Sequence, residues 1–368
     1  MAPRTSPPFR ADHVGSLIRP VELRQAREEH AAGKLPVESL REAEDRCIRD
    51  VIALQERVGL QSITDGEFRR FSFRDVLFEC STGFGERIET DFEFTYSDGS
   101  KRRATPVPKV IGKVKRKRGI STEDFKFLKP ATRGTAKVML PAPDLAHWFV
   151  GDRVFSGVYS DRQEYLGDLA AVLREEIAEL AKFGCTYVQI DEVPIPVMAD
   201  AQVQAVILSR GEDHLDLVDS YVDAINDALR DRPSGMTVCL HMCRGNEGSG
   251  LGSGGYDEIA ERTFSRLQVD GYLLEYESAR SGGFLPLRFI PKDKLVLLGL
   301  ISTKSKALEP KDELKQRVEE ASQVVDIERL GLCPQCGFAT LYKYDRLTID
   351  DQERKLAHLV ETAREIWG

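Results

Sequence analysis

Four side chains of the kind that bind soft metal ions occur at the ends of predicted strands. His241 and Cys243 are separated by one residue at the end of an apolar run, so their side chains leave the strand on the same side. Cys336 and Glu277 follow two other apolar runs. One imidazole, two thiols and one carboxylate form a set that suits tetrahedral zinc. A second interpretation stays open at this point, because free cysteines are among the most buried residues and pack as small apolar side chains.

Two neighbouring motifs suggest other chemistries. Cys333 and Cys336 form a C-x-x-C pair, which in a redox protein needs a thiolate at a helix N-terminus. A zinc knuckle needs a second C-x-x-C, and the sequence contains none. The glycine-rich residues 244–256 lack the arrangement of a dinucleotide fingerprint, which is also expected after the first strand of a βαβ unit. We therefore predict one ligand cysteine, Cys336, beside a bystander, Cys333, and a loop that covers the site.

The elements that must position these residues alternate along the chain. Eight short apolar runs rich in β-branched residues are predicted strands, at 12–15, 62–65, 135–140, 187–191, 237–241, 271–276, 294–300 and 329–333. Apolar residues spaced three and four apart predict long helices at 36–59, 161–183, 311–325 and 351–367. Strands that are apolar on both faces indicate a parallel sheet buried under helices. This pattern predicts an α/β fold of the (β/α)8 TIM-barrel type, with a doubly wound open sheet as the alternative.

Residues 81–128 interrupt this alternation. Alternating polar and apolar residues around a turn signal at 97–100 predict a β-hairpin insertion after the second βα unit. Five of the six residues 113–118 are basic. We interpret them as a solvated strand edge, since exposed lysines protect edge strands from pairing, and the binding of an anionic substrate is the alternative. No linker divides the sequence, so residues 1–368 are predicted to form a single catalytic barrel.

Composition excludes several classes of protein. The 368 residues carry a formal net charge of −8 with a pI near 5.5, which argues against a nucleic-acid-binding surface. No run reaches the roughly 18 apolar residues of a membrane helix, and residues 1–10 have no apolar run typical of a secretory signal. Seven cysteines do not form the pattern of a disulfide framework. We expect a cytoplasmic protein without nucleic-acid or membrane partners, and homo-oligomers are compatible with the sequence.

Seven motifs spread over the chain carry a family resemblance. They are, in order, FRADHVGSL, TDGEFRR, VQIDEVP, LHMCRGN, LEYESARSGGF, PQCGFAT and the closing AREIWG. This set resembles the catalytic domain of cobalamin-independent methionine synthase, and more closely the short single-domain bacterial relatives of that enzyme. The resemblance implies a barrel with a catalytic zinc ion at its mouth, bound by His241, Cys243, Glu277 and Cys336. The residues that it implies for the thiol substrate are Val14, Gly15, Ser16, Glu67 and Asp191.

The resemblance also implies roles for individual side chains. Glu67 and Asp191 are predicted as catalytic residues that orient the ammonium group of an amino-acid substrate, with capping or salt bridging at strand ends as the alternative. Glu277, the hardest ligand, is expected to loosen when the substrate sulfur binds. Independently of the resemblance, Trp148 is a candidate for stacking on a flat donor, although a single aromatic residue is more often part of the core.

The chemistry of thiols agrees with such a site. A free thiol, with a pKa of roughly 8.5, is mostly protonated at neutral pH, and binding to zinc deprotonates it. We therefore predict a zinc-dependent methyltransferase that activates a small thiol such as homocysteine as a zinc thiolate and methylates its sulfur. The methyl or alkyl donor stays open between a folate, methylcobalamin and another methylated compound.

The sequence departs from the family pattern in two respects, so alternative functions stay open. Full-length methionine synthases carry a second, duplicated barrel that this sequence does not supply. The family's proton-donating histidine is replaced by Ser302 and Thr303, whereas a folate N5 must be protonated to leave as an amine. The alternatives are a zinc-dependent epoxide:thiol alkyltransferase of the coenzyme M type, a decarboxylase of the uroporphyrinogen type, and a non-catalytic barrel with a structural zinc ion.

Overall fold

The computed structural model describes residues 4–95, 101–246, 252–339 and 347–368, and a parallel sheet lies at its centre. The strands within these residues are β1 (Ser62–Ile63), β2 (Ser81–Ile88), β3 (Glu93–Thr95), β4 (Lys101–Arg103), β5 (Val107–Arg116), β6 (Thr135–Pro141), β7 (Tyr187–Glu192), β8 (Thr237–Met242), β9 (Gly271–Glu275), β10 (Leu295–Ile301) and β11 (Leu330–Pro334). Seven of them form one curled parallel sheet in the order β1-β6-β7-β8-β9-β10-β11. The chain therefore has an α/β fold with a half-barrel of parallel strands.

Helices follow the strands of this sheet. They are α1 (Val21–Ala31), α2 (Val37–Val58), α3 (Asp75–Glu79), α4 (Thr122–Ala131), α5 (Leu145–Val150), α6 (Arg162–Lys182), α7 (Pro194–Val197), α8 (Ala201–Ser209), α9 (His214–Leu229), α10 (Ala260–Phe264), α11 (Lys311–Ser322) and α12 (Ile349–Trp367). Capping residues fix the ends of several helices. Helix α2 ends before Gly59, whose φ is 91°, and Thr348 and Asp351 form a capping box at the start of α12. Among the described residues, no helix is long and apolar enough to cross a membrane.

Seven of the eight predicted strands are present, each within two residues of its predicted bounds. Every residue of β7 is buried, as a strand covered on both faces requires. The predicted strand at 12–15 is wrong, because only Ala11 forms an isolated parallel bridge, with Leu332 of β11. The Asp12 carboxylate explains the irregular backbone, since its oxygens accept hydrogen bonds from the backbone N–H groups of Phe9 and His13.

Residues 10–12 nevertheless contact both edges of the sheet. On one side, the Leu332 N–H donates to the Arg10 carbonyl at 2.8 Å, and the Asp12 N–H donates to the Leu332 carbonyl at 3.1 Å. On the other side, the Ser62 hydroxyl of β1 donates to the Asp12 carboxylate at 2.6 Å. This segment therefore lies between the first and the last strand of the parallel sheet.

Two antiparallel pairs, β2 with β5 and β3 with β4, lie between β1 and β6 in the chain. The turn predicted at 97–100 falls outside the described residues. The predicted end of this segment at residue 128 is wrong, because α4 already begins at Thr122. The buried Glu176 carboxylate of α6 accepts hydrogen bonds from the backbone N–H groups of Ser121 and Thr122 and so fixes the start of α4. Of the basic residues 113–118, Arg116 is half-buried and pairs with Glu176 at 2.6 Å, whereas the other four are exposed.

Candidate metal and substrate site

The four predicted metal ligands lie at or just after the carboxyl ends of three different strands, at the same edge of the sheet. His241 lies near the end of β8 and Cys243 directly after it, while Cys336 comes two residues after β11. Glu277 comes two residues after β9. Because the carboxyl ends of parallel strands meet at one edge of a sheet, residues far apart in the sequence converge there.

Three of the four form a compact cluster. The ligand atoms of His241, Cys243 and Cys336 all lie within 4.8 Å of one another, and the two Sγ atoms are 3.5 Å apart. All three side chains are buried, and neither ring nitrogen of His241 has a hydrogen-bond partner among the described residues. An unsatisfied buried imidazole is costly, and a metal ion would take up one of its nitrogens. One nitrogen and two sulfurs suit tetrahedral zinc, so the residues fit the ion that the sequence predicts.

The pKa shifts of the three clustered side chains favour the binding of a cation. A hydrogen bond with Cys336 lowers the pKa of the Cys243 thiol well below its usual range and raises the pKa of Cys336, so Cys243 is the more acidic of the two thiols. Burial opposes the charged form of His241, but the neighbouring Cys243 and Asp191 outweigh it and raise the pKa of the imidazole. The cluster therefore concentrates negative charge around a protonatable ring, which is the electrostatic setting of a cation site.

Glu277, the fourth predicted ligand, is not part of this cluster. Its Oε1 accepts a hydrogen bond from the Lys304 ammonium at 2.9 Å. Its Oε2 is buried and has no hydrogen-bond partner in the part of the chain that the structure describes. Burial and the nearby Glu275 raise the pKa of the Glu277 carboxyl, and Lys304 opposes that shift. The structure thus gives Glu277 a cationic partner that the sequence did not reveal, and its role as a ligand stays a prediction.

A cavity opens directly above the cluster and collects most of the predicted substrate residues. Those that line it are Val14, Ser16, Glu67, Trp148 and Asp191, together with His241, Cys243 and Cys336. The rest of its lining consists of Ser72, Phe73, Arg74, Ala104, Thr105, Leu145, Phe149, Val193, Gly245 and Asn246. Gly15, also predicted to bind substrate, is not in the lining. Its φ is 125°, and a Cβ added there would lie only 2.4 Å from the Met139 sulfur, so this position needs glycine.

Two buried carboxyl groups face the cavity. Glu67 has a φ of 60°, rare for a residue other than glycine, and its Oε1 accepts a hydrogen bond from Arg70 at 3.1 Å. Asp191 accepts a hydrogen bond from the Gln189 amide at 2.6 Å. Burial raises the pKa of Asp191 to about 7, and the charge of His241 opposes this shift. Burial also raises the pKa of Glu67, and the charge of Arg70 opposes that shift. Carboxyl groups that are buried beside a possible metal centre suit the binding of a cation.

Trp148 supplies an aromatic wall. It belongs to α5, is 1% exposed, and stacks on Phe92 with ring centroids 4.7 Å apart. Its indole Nε1 is buried and has no hydrogen-bond partner among the described residues. Buried indole N–H groups usually donate a hydrogen bond, so Trp148 offers a donor as well as a ring face.

Asn246 and Gln335 support the site and were not predicted. The Asn246 amide donates to the Gly337 carbonyl at 2.8 Å and accepts from the Gln335 amide at 3.0 Å, which ties the segment after β8 to the segment after β11. Thr303 joins this network through its hydroxyl, 3.3 Å from the Asn246 oxygen, and does not line the cavity. The position of Asn246 in the motif LHMCRGN was the one available signal. The glycine-rich residues 247–251 fall outside the described residues.

Cys333 does not join its neighbour Cys336. Its thiol contacts the Leu297 carbonyl at 3.6 Å, and its side chain packs in a small apolar cluster with Val14, Tyr187, Cys239, Leu273 and Leu297. Cys333 therefore acts as a buried apolar side chain in the interior of the sheet.

A second group of possible ligands lies at His147, Asp152 and Glu212. Both ring nitrogens of His147 already have partners, the Tyr221 hydroxyl at 2.8 Å and the Asp152 carboxylate at 2.9 Å. Arg162 lies 3.6 Å from Glu212 and supplies a positive charge. This group is explained by its own hydrogen bonds and ion pairs.

Comparison with known proteins agrees with this geometry. The family model described as "Cobalamin-independent synthase, Catalytic domain" matches residues 9–365. The protein YxjH of Bacillus subtilis is 36% identical over 363 residues, which cover 98% of this chain and 95% of YxjH. The methionine synthase of Sulfolobus acidocaldarius is 25% identical over 89% of this chain and 85% of its own. The crystal structure of a candidate vitamin-B12-independent methionine synthase from Listeria monocytogenes is 31% identical, covers 98% of both chains and superposes with a TM-score of 0.77.

Proposed function

The chain belongs to the family of the cobalamin-independent synthase catalytic domain, and from this premise we propose that it is a zinc-dependent methyltransferase that methylates the sulfur of a small thiol such as homocysteine. The observation that carries the proposal is the buried cluster of His241, Cys243 and Cys336 in the same cavity as Glu67 and Asp191. We expect the protein to act in the cytoplasm on small molecules.

His241, Cys243 and Cys336 would hold the zinc ion, and Glu277 would be the fourth ligand. When bound, zinc lowers the pKa of a coordinated thiol and so presents its sulfur as a nucleophile at neutral pH. Cys243 and Cys336 would bind the ion as thiolates, because metal affinity requires deprotonated ligands.

Glu67 and Asp191 would orient the thiol substrate. Both carboxyl groups are buried and line the cavity, and a substrate ammonium group would compensate the cost of their burial. Glu67 is already paired with Arg70, so Asp191 is the better partner for that ammonium group. A small thiol that carries an amino group, as homocysteine does, meets both the metal cluster and these carboxylates. Holding two groups of the substrate fixes its sulfur in one direction.

The apolar and aromatic wall of the cavity would receive the alkyl donor. Trp148, Phe149, Leu145 and Phe73 form this part of the lining and exclude water from it. Ser302 and Thr303 do not line the cavity, so neither is placed to protonate a leaving group there. The donor is therefore proposed only as a compound whose apolar or aromatic part rests on Trp148.

We also infer that the fold is a closed (β/α)8 barrel. Residues 10–12 occupy the position between β11 and β1 where an eighth strand would lie, and the residues with antiparallel pairs are inserted between β1 and β6. The cavity would then open at the carboxyl ends of the strands, where the active sites of such barrels lie.

A substrate screen with zinc-loaded protein tests the function. Homocysteine and coenzyme M would each be incubated with 5-methyltetrahydrofolate, methylcobalamin or an epoxide, and the S-alkyl product detected by mass. Methionine formed from homocysteine supports the proposal, whereas alkylated coenzyme M as the main product would favour the epoxide reaction.

Zinc-edge X-ray absorption adds an independent measurement. Added homocysteine should contribute one sulfur scatterer to the zinc shell. An unchanged shell of four protein ligands, together with no product in the screen, would identify a structural zinc ion and contradict the proposal.

A further inference from the structure

The two carboxylate oxygens of Glu277 differ in their hydrogen bonding. Its side chain is 8% exposed, and its Oε1 lies 2.9 Å from the Lys304 nitrogen. Its Oε2 is buried without a hydrogen-bond partner among the described residues. A buried carboxylate oxygen that makes no hydrogen bond is unfavourable, so this oxygen is available to a cation.

Lys304 contacts a second carboxylate as well. Its ammonium lies 3.3 Å from Oε1 of Glu275, a fully buried residue whose Oε2 accepts a hydrogen bond from the Arg244 backbone N–H at 2.5 Å. Glu275 is thus held in place by other groups. If Glu277 moves away, Lys304 keeps an anionic partner and is not left as a buried, unpaired charge.

Arg280 does not duplicate this role. Its guanidinium forms a short hydrogen bond with Glu275, but it lies 3.7 Å from Glu277, beyond hydrogen-bond distance. Lys304 is therefore the cation that sets the position of the Glu277 carboxylate, and a compact ammonium on a flexible stem can follow a carboxylate between two positions.

We propose that Lys304 is a positioning residue that competes with the metal ion for the Glu277 carboxylate, and so makes Glu277 the ligand that an incoming thiol displaces. This inference rests on the proposed function, since it assumes a metal at His241, Cys243 and Cys336. With zinc bound, the substrate thiol would release its proton to solvent and its sulfur would take the place of the Glu277 oxygen, which would move to the Lys304 ammonium. Lys304 would thereby bind the released Glu277 carboxylate as an ion pair.

Lys304→Met tests the competition. Without the ammonium, Glu277 has no rival cation and should stay on the metal, so the zinc dissociation constant should fall about tenfold, a change similar in size but opposite in sign to the usual loss of a group that contacts a metal ligand. Zinc-edge X-ray absorption should show that homocysteine replaces an oxygen scatterer in the wild type but not in this variant. Lys304→Arg keeps the charge and should restore the exchange. If Lys304→Met does not fold, Lys304→Gln carries the same expectation.

The Glu277→Gln background supplies the control. If Lys304 acts through Glu277, Lys304→Met should not change the zinc dissociation constant in that background. An effect of the same size there, or a wild-type dissociation constant for Lys304→Met alone, would overturn the inference. If the wild type binds zinc and gains a sulfur scatterer from homocysteine while Lys304→Met behaves identically, this inference fails and the proposed function stands. If the wild type binds no zinc, both fail.

Discussion

The Sγ atoms of Cys243 and Cys336 lie 3.5 Å apart, although 93 residues separate them in the chain. They follow β8 and β11, which are not neighbours, because β9 and β10 lie between them in the sheet. The contact therefore depends on the curl of the sheet and not on local sequence. It joins two strand ends that only the complete fold brings together.

The first prediction concerns the assignment of the two cysteines of the C-x-x-C pair. Cys336→Ser and Cys243→Ser should each abolish stoichiometric zinc binding, since both sulfurs belong to the cluster. Cys333→Ser is the matched control and should keep the zinc while it loses about 1 kcal/mol of stability, because its thiol packs in an apolar cluster. The measurement that distinguishes ligand from non-ligand cysteines is the number of zinc ions per chain, determined by mass spectrometry of the gel-filtered protein. Full zinc in Cys336→Ser would remove that residue from the ligand set.

Metal removal should make the same two thiols sensitive to oxidation. The hydrogen bond with Cys336, 3.5 Å away, lowers the pKa of the Cys243 thiol and so favours the thiolate, which is the reactive form. The oxidant diamide should therefore convert two of the seven thiols into one disulfide, while it is reduced to the hydrazine. Thiol titration in denaturant should count five remaining thiols, and zinc-loaded protein should keep all seven. Equal loss of thiols with and without zinc would contradict a shared metal site.

Trp148→Phe probes the wall of the cavity. The change keeps an aromatic ring but removes the unpartnered indole N–H, so KM for the alkyl donor should rise roughly tenfold, as for the loss of one hydrogen bond. Zinc content should not change. Trp367→Phe, at the other tryptophan of the chain, is the control, because the Trp367 indole already donates to the Ile327 carbonyl. A change in KM for the thiol alone would place Trp148 on the acceptor side.

Asp144 should make stability fall as pH rises. This residue is fully buried, and burial raises its pKa to about 7. Between about pH 4 and pH 7 the folded state therefore binds more protons here than the unfolded state, and the free energy of unfolding decreases with pH. Asp144→Asn removes this titration, so its stability relative to the wild type should improve by about 2–3 kcal/mol from pH 5 to pH 8 in urea unfolding.

Asp213→Asn is the control for that pH dependence. The Asp213 carboxylate caps α9, and the backbone N–H of Asp216 lowers its pKa, followed by that of Leu215. This group is ionised in both states above pH 5, so the cost of its loss should not vary between pH 5 and pH 8. A pH-independent difference for Asp144→Asn as well would show that Asp144 is not the titrating group.

Gly337 is predicted to be essential for the geometry next to Cys336. A Cβ at this position would lie 1.9 Å from the Ser16 hydroxyl oxygen, so Gly337→Ala must displace Ser16 or the Cys336 backbone. We expect at least a tenfold weaker zinc affinity, measured by chelator competition. Gly167→Ala in α6 meets nothing within 4 Å and should instead stabilise the protein by up to about 1 kcal/mol. Unchanged zinc affinity in Gly337→Ala would show that this turn tolerates displacement.

The sequence predicted those parts of the molecule that depend on local pattern. Buried parallel strands such as β7 are visible as short apolar runs, and the rule that side chains at their carboxyl ends converge places His241, Cys243 and Cys336 together. Residues 12–15 failed as a strand because the Asp12 carboxylate binds the local backbone, a competition that apolar periodicity does not record.

Long-range polar pairs were not predictable in this way. Nothing in the sequence indicates that Lys304 meets Glu277, because their contact depends on two loops that follow neighbouring strands. The same holds for Asn246, whose amide reaches the Gly337 carbonyl across 91 residues. Conversely, Gly15 belongs to a motif of the family but serves a close approach to Met139, a constraint of backbone and packing that a motif does not reveal.

The seam between residues 10–12 and Leu332 joins the beginning of the chain to its last strand. A ribosome makes residues 10–12 long before β11, so the growing chain exposes both sheet edges until β11 has emerged. Cys336, two residues after β11, reaches His241 at the same late stage. The proposed metal site is therefore complete only after β11 has been made, so a metal ion bound there would not direct the folding of the preceding strands.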